Sequence, residues 1–587
     1  MVEHEPLNPS SSTNLRPIRT NASGRSVRSK SSRPQLGRIY TGHFPDDQSV
    51  YHSHEEHEGE ELTEVDSDLS EDVAEENNDE TALEKGTDIE GEERPGEKDL
   101  ERGNKTLEKK KSTRSTKDLN LVTWDGPEDP SNPKNWSRRK KWAATFVVSS
   151  FTFITPVSSS MVAPAISTIS TEFGVTSTIE QQLLLSVFIL AYAVGPVFLG
   201  PLSEIYGRVP VLQLANLFYL VFNLGCGFAR NKGEMIAFRF LSGLGGSAPL
   251  AIGGGVLSDC WRAEERGAAV AIYSLAPLLG PAIGPIAGGF ITEKTTWRWV
   301  FWATSIVDAA IQVSGLFFLQ ETYPAKLLHN KAEKLRKETA NPNLKTEFEH
   351  PERSFANTME RSLVRPFKLL GTQPIVQALA VYMAFLYGLI YLVISTFPVL
   401  WEEEYRESIG IGGLNYISLG LGFFIGAQTC ARVNDRIYRR LKKRNNGVGK
   451  PEFRVPLMVP GSLLVPIGLF IYGWSAQYHT HWIVPNIGAT LFSAGIIVGF
   501  QCIQTYLVDS YTRYAASAIA AATVLRSLAG FALPLAAPSL YASLDYGWGN
   551  SLLAFLGIVL GLPAPIVLWK FGEKMRKQSP FAAGGGD

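Results

Sequence analysis

The stretch Gly200-Pro-Leu-Ser-Glu-Ile-Tyr-Gly-Arg-Val-Pro-Val211 lies between two long apolar segments. Its glycines, Gly200 and Gly207, permit a sharp turn and a close approach of the backbone. Glu204 and Arg208 are four residues apart, so on a helical turn they face each other as an ion pair. We interpret the stretch as a tight, charged hinge at a membrane surface, although such a pair is also typical of an ordinary solvated turn.

Apolar runs that are long enough to cross a membrane surround this hinge. Crossing about 30 Å of hydrocarbon takes roughly 20 helical residues, and runs of that length recur from Lys141 onward. The mean hydropathy of the chain is close to zero only because charged residues concentrate at the ends and in two loops. The sequence therefore predicts a polytopic membrane protein. The predicted spans are 142–164, 181–203, 210–229, 235–257, 268–291, 299–320, 374–398, 411–431, 455–474, 482–507, 515–540 and 549–571.

Charged positions at the span ends repeat between the two halves of the chain. Glu204 and Arg208 after the second span correspond to Asp435 and Arg439 after the eighth, and Asp259 after the fourth corresponds to Asp509 after the tenth. We predict an all-α membrane protein of twelve transmembrane helices in two pseudo-symmetric six-helix halves, with a long disordered N-terminal tail. The predicted parts are a disordered cytosolic tail (1–120), a juxtamembrane segment (121–141), the first half (142–320), a central cytosolic loop (321–373), the second half (374–571) and a cytosolic C-terminal tail (572–587).

Composition predicts the state of the tail and the orientation of the chain. The first 120 residues are rich in Ser, Pro and acidic residues, and they carry too few large apolar side chains to offset the entropy of ordering. A solvated tail and a tail regulated by serine phosphorylation both fit this composition. The basic cluster from Arg138 to Lys141 adjoins the first span, and the predicted cytosolic loops carry most of the Lys and Arg residues. Both termini are therefore predicted to be cytosolic.

Arg239 lies inside the fourth span, and Gly243 follows it by four residues. An unpaired arginine in hydrocarbon is costly, so this side chain is expected to face protein or a wet cavity and to form hydrogen bonds there. A role in proton movement fits this position, and so does a structural role in which the guanidinium braces helix packing through backbone carbonyls.

The fifth span reads Gly280-Pro-Ala-Ile-Gly284-Pro285-Ile-Ala-Gly288-Gly289. Pro285 removes a backbone donor and predicts a bend in the helix. Three of the glycines recur at four-residue spacing, so they share one helix face and let a neighbouring helix approach closely.

Together these motifs resemble the twelve-span drug:proton antiporters of fungi, a branch of the major facilitator superfamily that includes multidrug-resistance and polyamine exporters. The resemblance runs from Val122 to about Lys577. The glycine pattern of the fifth span is similar to a motif that exporting members carry. Uptake members largely lack this motif. Three further stretches fit the branch: Trp124-Asp-Gly-Pro with Asn132-Pro and Asn135-Trp136, Glu321-Thr-Tyr-Pro324, and Asp509 to Ser517. Two positions depart from it, because Glu204 stands where the superfamily often has Asp and Ala522 where relatives commonly have Asn.

The resemblance implies roles for several of these residues. Glu204, Arg208 and Asp259 are expected to form a charge cluster that locks the cytosolic side, and Arg239 to assist proton movement. Asp308, in the sixth span, is a carboxylate well inside a span. Burial disfavours its charged form, which suits a proton carrier, but a structural aspartate bonded to neighbouring donors fits as well.

Aromatic and amide side chains predict the lining of a substrate cavity. The candidates are Tyr387, Tyr391, Gln501, Gln504 and Arg526. Such groups suit amphipathic organic molecules, whereas a polyamine pore would need several carboxylates. The aromatic stripe of the seventh span also fits ordinary helix packing.

The predicted function is proton-coupled efflux of amphipathic small molecules such as drugs, toxins or secondary metabolites. A polyamine exporter and a proton-coupled importer with the same fold remain alternatives. Four scattered cysteines lack metal-ligand spacing, and no phosphate-binding Gly-x-x-x-x-Gly-Lys-Ser/Thr loop is present. We therefore expect a transporter and not an enzyme, with no cofactor, no metal and no nucleic-acid partner. It is expected to act as a monomer with its substrate, protons and the bilayer, in the plasma membrane, with a vacuolar membrane as the alternative.

Overall fold

The computed structural model describes residues 120–262, 265–349 and 355–582, and these are almost entirely helical. The first half consists of α1 (Arg138–Ser160), α2 (Ile166–Glu172), α3 (Thr178–Tyr206), α4 (Arg208–Cys226), α5 (Lys232–Gly246), α6 (Ala248–Cys260), α7 (Arg266–Lys294) and α8 (Arg298–Phe318). The connection to the second half contains α9 (Pro324–Thr339) and α10 (Phe355–Thr372). The second half consists of α11 (Pro374–Val399), α12 (Ile409–Leu414), α13 (Ile417–Arg444), α14 (Met458–Gln477), α15 (Ile483–Ser510), α16 (Ala515–Gly561) and α17 (Pro563–Lys577).

Eleven helical stretches in the described ranges are long and apolar enough to cross a membrane, and the last of them contains two of the twelve predicted spans. A straight helix with the 47 residues of α16 would be about 70 Å long, more than twice the hydrocarbon thickness. The helix is broken at Asp545, where φ is 49° and ψ is −177°. Tyr541 Oη donates to Asn550 Oδ1 over 3.1 Å, and the Tyr541 and Tyr546 rings stack 4.8 Å apart. The chain therefore folds back at Asp545 and forms the eleventh and twelfth spans.

Two of the predicted spans differ most from the observed helices. The eighth span was predicted to end at residue 431, but α13 continues to Arg444. Its last turn carries Lys442, Lys443 and Arg444, whose charges favour the C-terminal end of a helix and keep that end in water. The fourth span is divided at Ser247 into α5 and α6.

The juxtamembrane segment packs on the central loop. Strands β1 (Leu121–Val122) and β2 (Lys345–Thr346) form a two-stranded parallel sheet in which Leu121 pairs with Lys345. Lys331 of α9 donates to Asp125 Oδ1 over 2.7 Å. Although burial opposes it, hydrogen bonds from the backbone of Asp125 and Ser131 hold the pKa of Asp129 below its usual value. The predicted segments 121–141 and 321–373 therefore contact each other.

Both predicted tails lie at the limits of the structure. The predicted disordered tail, residues 1–120, falls outside the described residues except for Asn120. At the other end, helix α17 continues to Lys577, beyond the predicted start of the C-terminal tail at residue 572. Ser579 Oγ then donates to Gln373 Oε1, and the Phe581 ring lies 5.4 Å from the Tyr514 ring. The tail up to Ala582 thus packs against the second half.

The two arms of α16 pack on α11, the most deeply buried helix of the second half. A Cβ at Gly388 of α11 would lie 3.1 Å from the Ala529 carbonyl oxygen in the first arm. A Cβ at Gly561 in the second arm would lie 2.9 Å from the Tyr382 hydroxyl of α11. Close approach on both sides places α11 in the interior, where it faces the first half.

Candidate functional site

The two halves meet unevenly along the bundle. We call the end that carries Arg208 the Arg208 end and the opposite end, which carries Glu293, the Glu293 end. Eleven of the thirteen buried residues of α3 precede Pro196, toward the Glu293 end. Eight of the ten buried residues of α7 lie from Gly280 onward, toward the same end. Because α3 and α7 are helices that contact the second half, the halves are in contact near the Glu293 end and separate toward the Arg208 end.

Glu293 links the halves at the closed end. Its carboxylate accepts hydrogen bonds from Ser408 Oγ and from the Gly410 backbone N–H, each over 2.8 Å. One turn earlier, a Cβ at Gly289 would lie 2.7 Å from the Ile409 carbonyl oxygen. The glycine pattern of the fifth span points to Gly289 but not to Glu293, because a lone carboxylate at the end of a span gives no sign of a partner more than 100 residues away.

Arg239 is fully buried and donates to four backbone carbonyls. The acceptors are Leu184 O (3.2 Å), Leu185 O (3.3 Å), Ser158 O (3.1 Å) and Ser159 O (3.2 Å). Helix α1 ends at Ser160, so the two serine carbonyls belong to its last turn, where helical carbonyls lack intrahelical donors. The guanidinium therefore ties α5 to α1 and α3, as in the structural interpretation of Arg239. The same arrangement is compatible with a role in proton movement.

Tyr391 connects the second half to this arginine. Its hydroxyl lies 3.2 Å from Ser159 Oγ, and the carbonyl of the same Ser159 accepts from Arg239. Tyr192 of α3 is also buried, and among the described residues its hydroxyl has no hydrogen-bond partner. The cavity candidate Tyr391 thus lies at the contact between the halves.

Arg526 and Tyr387 lie together in the second half. The guanidinium carbon of Arg526 is 5.0 Å from the centre of the Tyr387 ring and 5.2 Å from that of Phe500. Gln501 and Gln504 are on the same helix as Phe500 and are half-buried. No sequence pattern singles out Phe500, because only the packing of α15 against α11 and α16 brings its ring beside Tyr387 and Arg526.

Asp308 lies elsewhere, inside the first half between α4 and α8. It is fully buried, and Asn216 Nδ2 lies 3.1 Å from each of its carboxyl oxygens. The same amide nitrogen lies 2.8 Å from Gln312 Oε1. Tyr219, on the same helix as Asn216, packs against Gly245 and Gly246 of α5, the helix that carries Arg239. The structure therefore separates Asp308 from the candidate substrate cavity.

Arg208 lies at the centre of the charge cluster expected from the hinge. Its Nε is 3.5 Å from Asp259 Oδ2 and its Nη1 is 4.0 Å from Glu204 Oε1. Arg208 and Asp259 are each 14% exposed, whereas Glu204 is 49% exposed. The structure adds Glu321, whose carboxylate accepts from the backbone N–H groups of Arg208 (3.0 Å) and Val209 (3.2 Å) and so caps α4.

The second half contains the equivalent cluster, but its arginine is not the expected one. The repeat predicted that Asp435 would pair with Arg439. Instead, Asp435 Oδ1 lies 2.6 Å from Arg454 Nη1, and Arg454 Nε donates to Asp509 Oδ2 over 3.0 Å. Four-residue spacing identified a possible pair within one helix, whereas the true partner comes from the short segment that precedes the ninth span.

The glycine face of the fifth span lies against the end of α1. A Cβ at Gly280 would lie 2.6 Å from Pro156 Cβ, and a Cβ at Gly284 would lie 2.6 Å from Ser160 Oγ. A Cβ at Gly288 would collide with the carbonyl oxygen of Met161. Pro285 contributes its carbonyl, which would lie 3.1 Å from a Cβ at Gly413. The motif thus packs within the first half on one face and against the second half on another.

The part of the chain that the structure describes offers little for a metal. No group of three or more His, Cys, Asp or Glu side chains gathers there. Its four cysteines, Cys226, Cys260, Cys430 and Cys502, are buried free thiols.

Two helical halves that meet around a buried polar centre and open at one end define a membrane transporter. The Major Facilitator Superfamily family model matches residues 148–534, and the chain belongs to that superfamily. It is 55% identical to "Efflux pump vrtL" of Penicillium aethiopicum over 84% of this chain and 98% of that protein. It is 45% identical to "Efflux pump radE" of Floropilus chiversii, over 79% of this chain and 86% of that one.

A solved structure with the same fold is the xylose transporter XylE from E. coli in a partially occluded inward open conformation. The two share 16% identity with a TM-score of 0.54, over 73% of this chain and 99% of that chain. The chain is therefore a multi-pass membrane transporter of the major facilitator fold.

Proposed function

We propose that this protein is a proton-coupled antiporter that exports amphipathic organic molecules across the plasma membrane as a monomer with cytosolic termini. The observation that carries the direction of transport is its 55% identity, over nearly the full length of the relative, to a protein named as an efflux pump. The glycine face of the fifth span supports the same direction, because the pattern that exporters carry fits against α1 without room for a side chain.

In the proposed cycle, the substrate enters from the Arg208 end, where the halves are apart, and binds near Tyr387, Tyr391, Gln501, Gln504 and Arg526. Opening at the other end requires loss of the Glu293 hydrogen bonds to Ser408 and Gly410. The cluster of Arg208, Asp259 and Glu204 lies within the first half and is formed while the Arg208 end is open, so in this proposal it acts as one charged surface that meets the second half when that end closes. The Glu293 hydrogen bonds hold the state that is closed at the Glu293 end.

We assign proton coupling to Asp308 and Arg239. Asp308 accepts from the Asn216 amide but has no cation within salt-bridge distance among the described residues, so gain or loss of its proton changes the charge of a closed pocket. Helix α4, which carries Asn216, packs at Tyr219 against Gly245 and Gly246 of α5, the helix of Arg239. A change at Asp308 would then alter the carbonyl contacts of Arg239, which hold α1, α3 and α5 together.

Two alternatives make different demands on the same cavity. A polyamine exporter needs carboxylates around its substrate. Among the five cavity candidates, however, the charged residue is Arg526, which is a cation. An importer with this fold would couple the inward movement of substrate to the inward flow of protons down their gradient. The efflux-pump relatives favour export over both.

The test uses full-length protein in proteoliposomes and in yeast that lacks its own efflux pumps. A panel of labelled amphipathic compounds should leave preloaded cells, and a proton uncoupler should abolish that export. Asp308→Asn keeps an oxygen acceptor for Asn216 but cannot release a proton, so it should lose uphill transport while it retains exchange of substrate for substrate. Export that persists with uncoupler would refute proton coupling, and proton-driven accumulation by the wild type would refute export.

A further inference from the structure

The environment of Arg526 contains aromatic rings but no anion among the described residues. Its guanidinium lies beside the rings of Tyr387 and Phe500, at 5.0 and 5.2 Å, and those two rings are themselves 6.4 Å apart. Aromatic faces attract a guanidinium and fix its position. They accept no conventional hydrogen bonds, so its N–H groups stay available.

Arg526 differs in this respect from the other interior arginines. Arg239 donates to four carbonyls, and Arg208 and Arg454 each lie within salt-bridge distance of two carboxylates. Among the described residues, Arg526 makes no hydrogen bond and no ion pair, and its Nε is buried without an acceptor. A buried donor without a partner is costly. Arg526 is half-buried, so its guanidinium is accessible to a ligand that supplies acceptors.

Arg526 lies at a position that suits a substrate-binding residue. One turn further along α16, a Cβ at Gly530 would lie 2.9 Å from the Tyr387 ring and 3.1 Å from Ile189 of the first half. This places Arg526 beside the contact between the halves. Asp308, by contrast, is enclosed between α4 and α8.

We propose that Arg526 binds an acidic group of the transported compound, so that the substrates of this transporter include organic acids with an aromatic or other flat apolar body. A guanidinium presents paired N–H donors that match a carboxylate or an acidic phenolate. The neighbouring rings of Tyr387 and Phe500 offer a surface on which an aromatic body can stack. This inference rests on the proposed function, because it names the substrate class of the same cavity.

The test compares two probes of nearly the same size and shape, the anion 9-anthracenecarboxylate and its neutral primary amide. Binding to the purified full-length protein in lipid nanodiscs is measured at neutral pH by fluorescence titration. Since a hydrogen bond to a charged group contributes more than a neutral one, the acid should bind the wild type about tenfold or more tightly than the amide. Arg526→Gln should remove that preference, and Arg526→Lys should keep part of it because the charge remains.

Arg432→Gln is the matched control, since it removes one positive charge from an exposed position on α13 that is not among the cavity candidates. It should leave the preference for the acid unchanged. Equal affinity of the wild type for acid and amide would overturn the inference whether or not the Arg526 variants fold. The same holds for an unchanged preference in folded Arg526→Gln.

Failure of the inference is separable from failure of the proposed function. If cells export neutral members of the compound panel while the acid shows no preferential binding, the acidic substrate class is wrong and export stands. If preferential binding of the acid depends on Arg526 but no compound is exported, the inference stands as a binding site and the proposed export is wrong.

Discussion

Arg208 and Arg454 occupy equivalent positions in the two halves. Arg208 begins the third span and lies 3.5 Å from Asp259 at the end of the fourth. Arg454 precedes the ninth span and lies 3.0 Å from Asp509 at the end of the tenth. Each arginine also contacts the acidic residue that follows the preceding span, Glu204 or Asp435. The pseudo-symmetry of the fold thus extends to the ion pairs at the Arg208 end.

The first prediction concerns the strength of the Arg208 contacts. Arg208→Gln and Asp259→Asn should each slow efflux, and the double variant should be little worse than either, because both remove one shielded ion pair. Glu204→Gln should have a smaller effect, within about 0.5 kcal/mol in the efflux barrier, since Glu204 is half exposed and 4.0 Å away. Initial efflux rates at equal surface abundance give the coupling energy.

Glu180→Gln is the control for that experiment, because Glu180 forms an exposed ion pair with Lys232 away from the cluster. It should leave efflux unchanged. Additive effects of the Arg208 and Asp259 substitutions would show that the two do not act as a unit.

The second prediction concerns the glycine face. A Cβ at Gly284 would lie 2.6 Å from Ser160 Oγ and 2.7 Å from the Val157 carbonyl oxygen, so Gly284→Val must push α7 away from α1. Overpacking of this kind costs about 1–3 kcal/mol. Efflux from preloaded cells should fall to about one tenth or less, while surface abundance and ligand binding persist.

Gly254 is the matched control, because it is also helical but a Cβ placed there would have nothing within 4 Å. Gly254→Val should export normally. Normal export by Gly284→Val would refute the steric role of the motif.

The third prediction concerns Arg239. Lysine keeps the charge but not the planar set of donors, so Arg239→Lys leaves several of the four carbonyls without a partner. Loss of such buried hydrogen bonds should lower the efflux rate about tenfold or more. Arg239→Lys should still reach the cell surface, as measured by surface biotinylation beside efflux. Full export by Arg239→Ala at equal surface abundance would exclude a role for this residue in transport.

The fourth prediction concerns the closed end. Glu293→Ala removes the acceptor for Ser408 Oγ and Gly410 N, so the Glu293 end should open more often. A cysteine introduced for Ile409, which lies against Gly289, should then react faster with a membrane-impermeant maleimide. Glu180→Ala is the control, because Glu180 forms an exposed ion pair with Lys232 and does not contact the second half through it. It should not change the labelling rate. An unchanged rate in Glu293→Ala would mean that these hydrogen bonds do not hold the end closed.

The sequence by itself determined the spans, their repeat in two halves and the motif positions. A segment in hydrocarbon must satisfy its own backbone hydrogen bonds and must be long enough to cross, so span number and approximate bounds depend on local composition. Even the break at Asp545 leaves that count intact, because the predicted spans 515–540 and 549–571 already lie on either side of it.

Only the tertiary structure decided which side chains meet. Arg454 replaces the expected Arg439, Glu293 joins the two halves, and Glu321 caps α4, and in each case the signal is a contact and not a spacing. Asp308 lies apart from the cavity because the packing of α4 on α8 encloses it. Such pairs form between residues distant in sequence, since helix faces select their neighbours only when the whole bundle has packed.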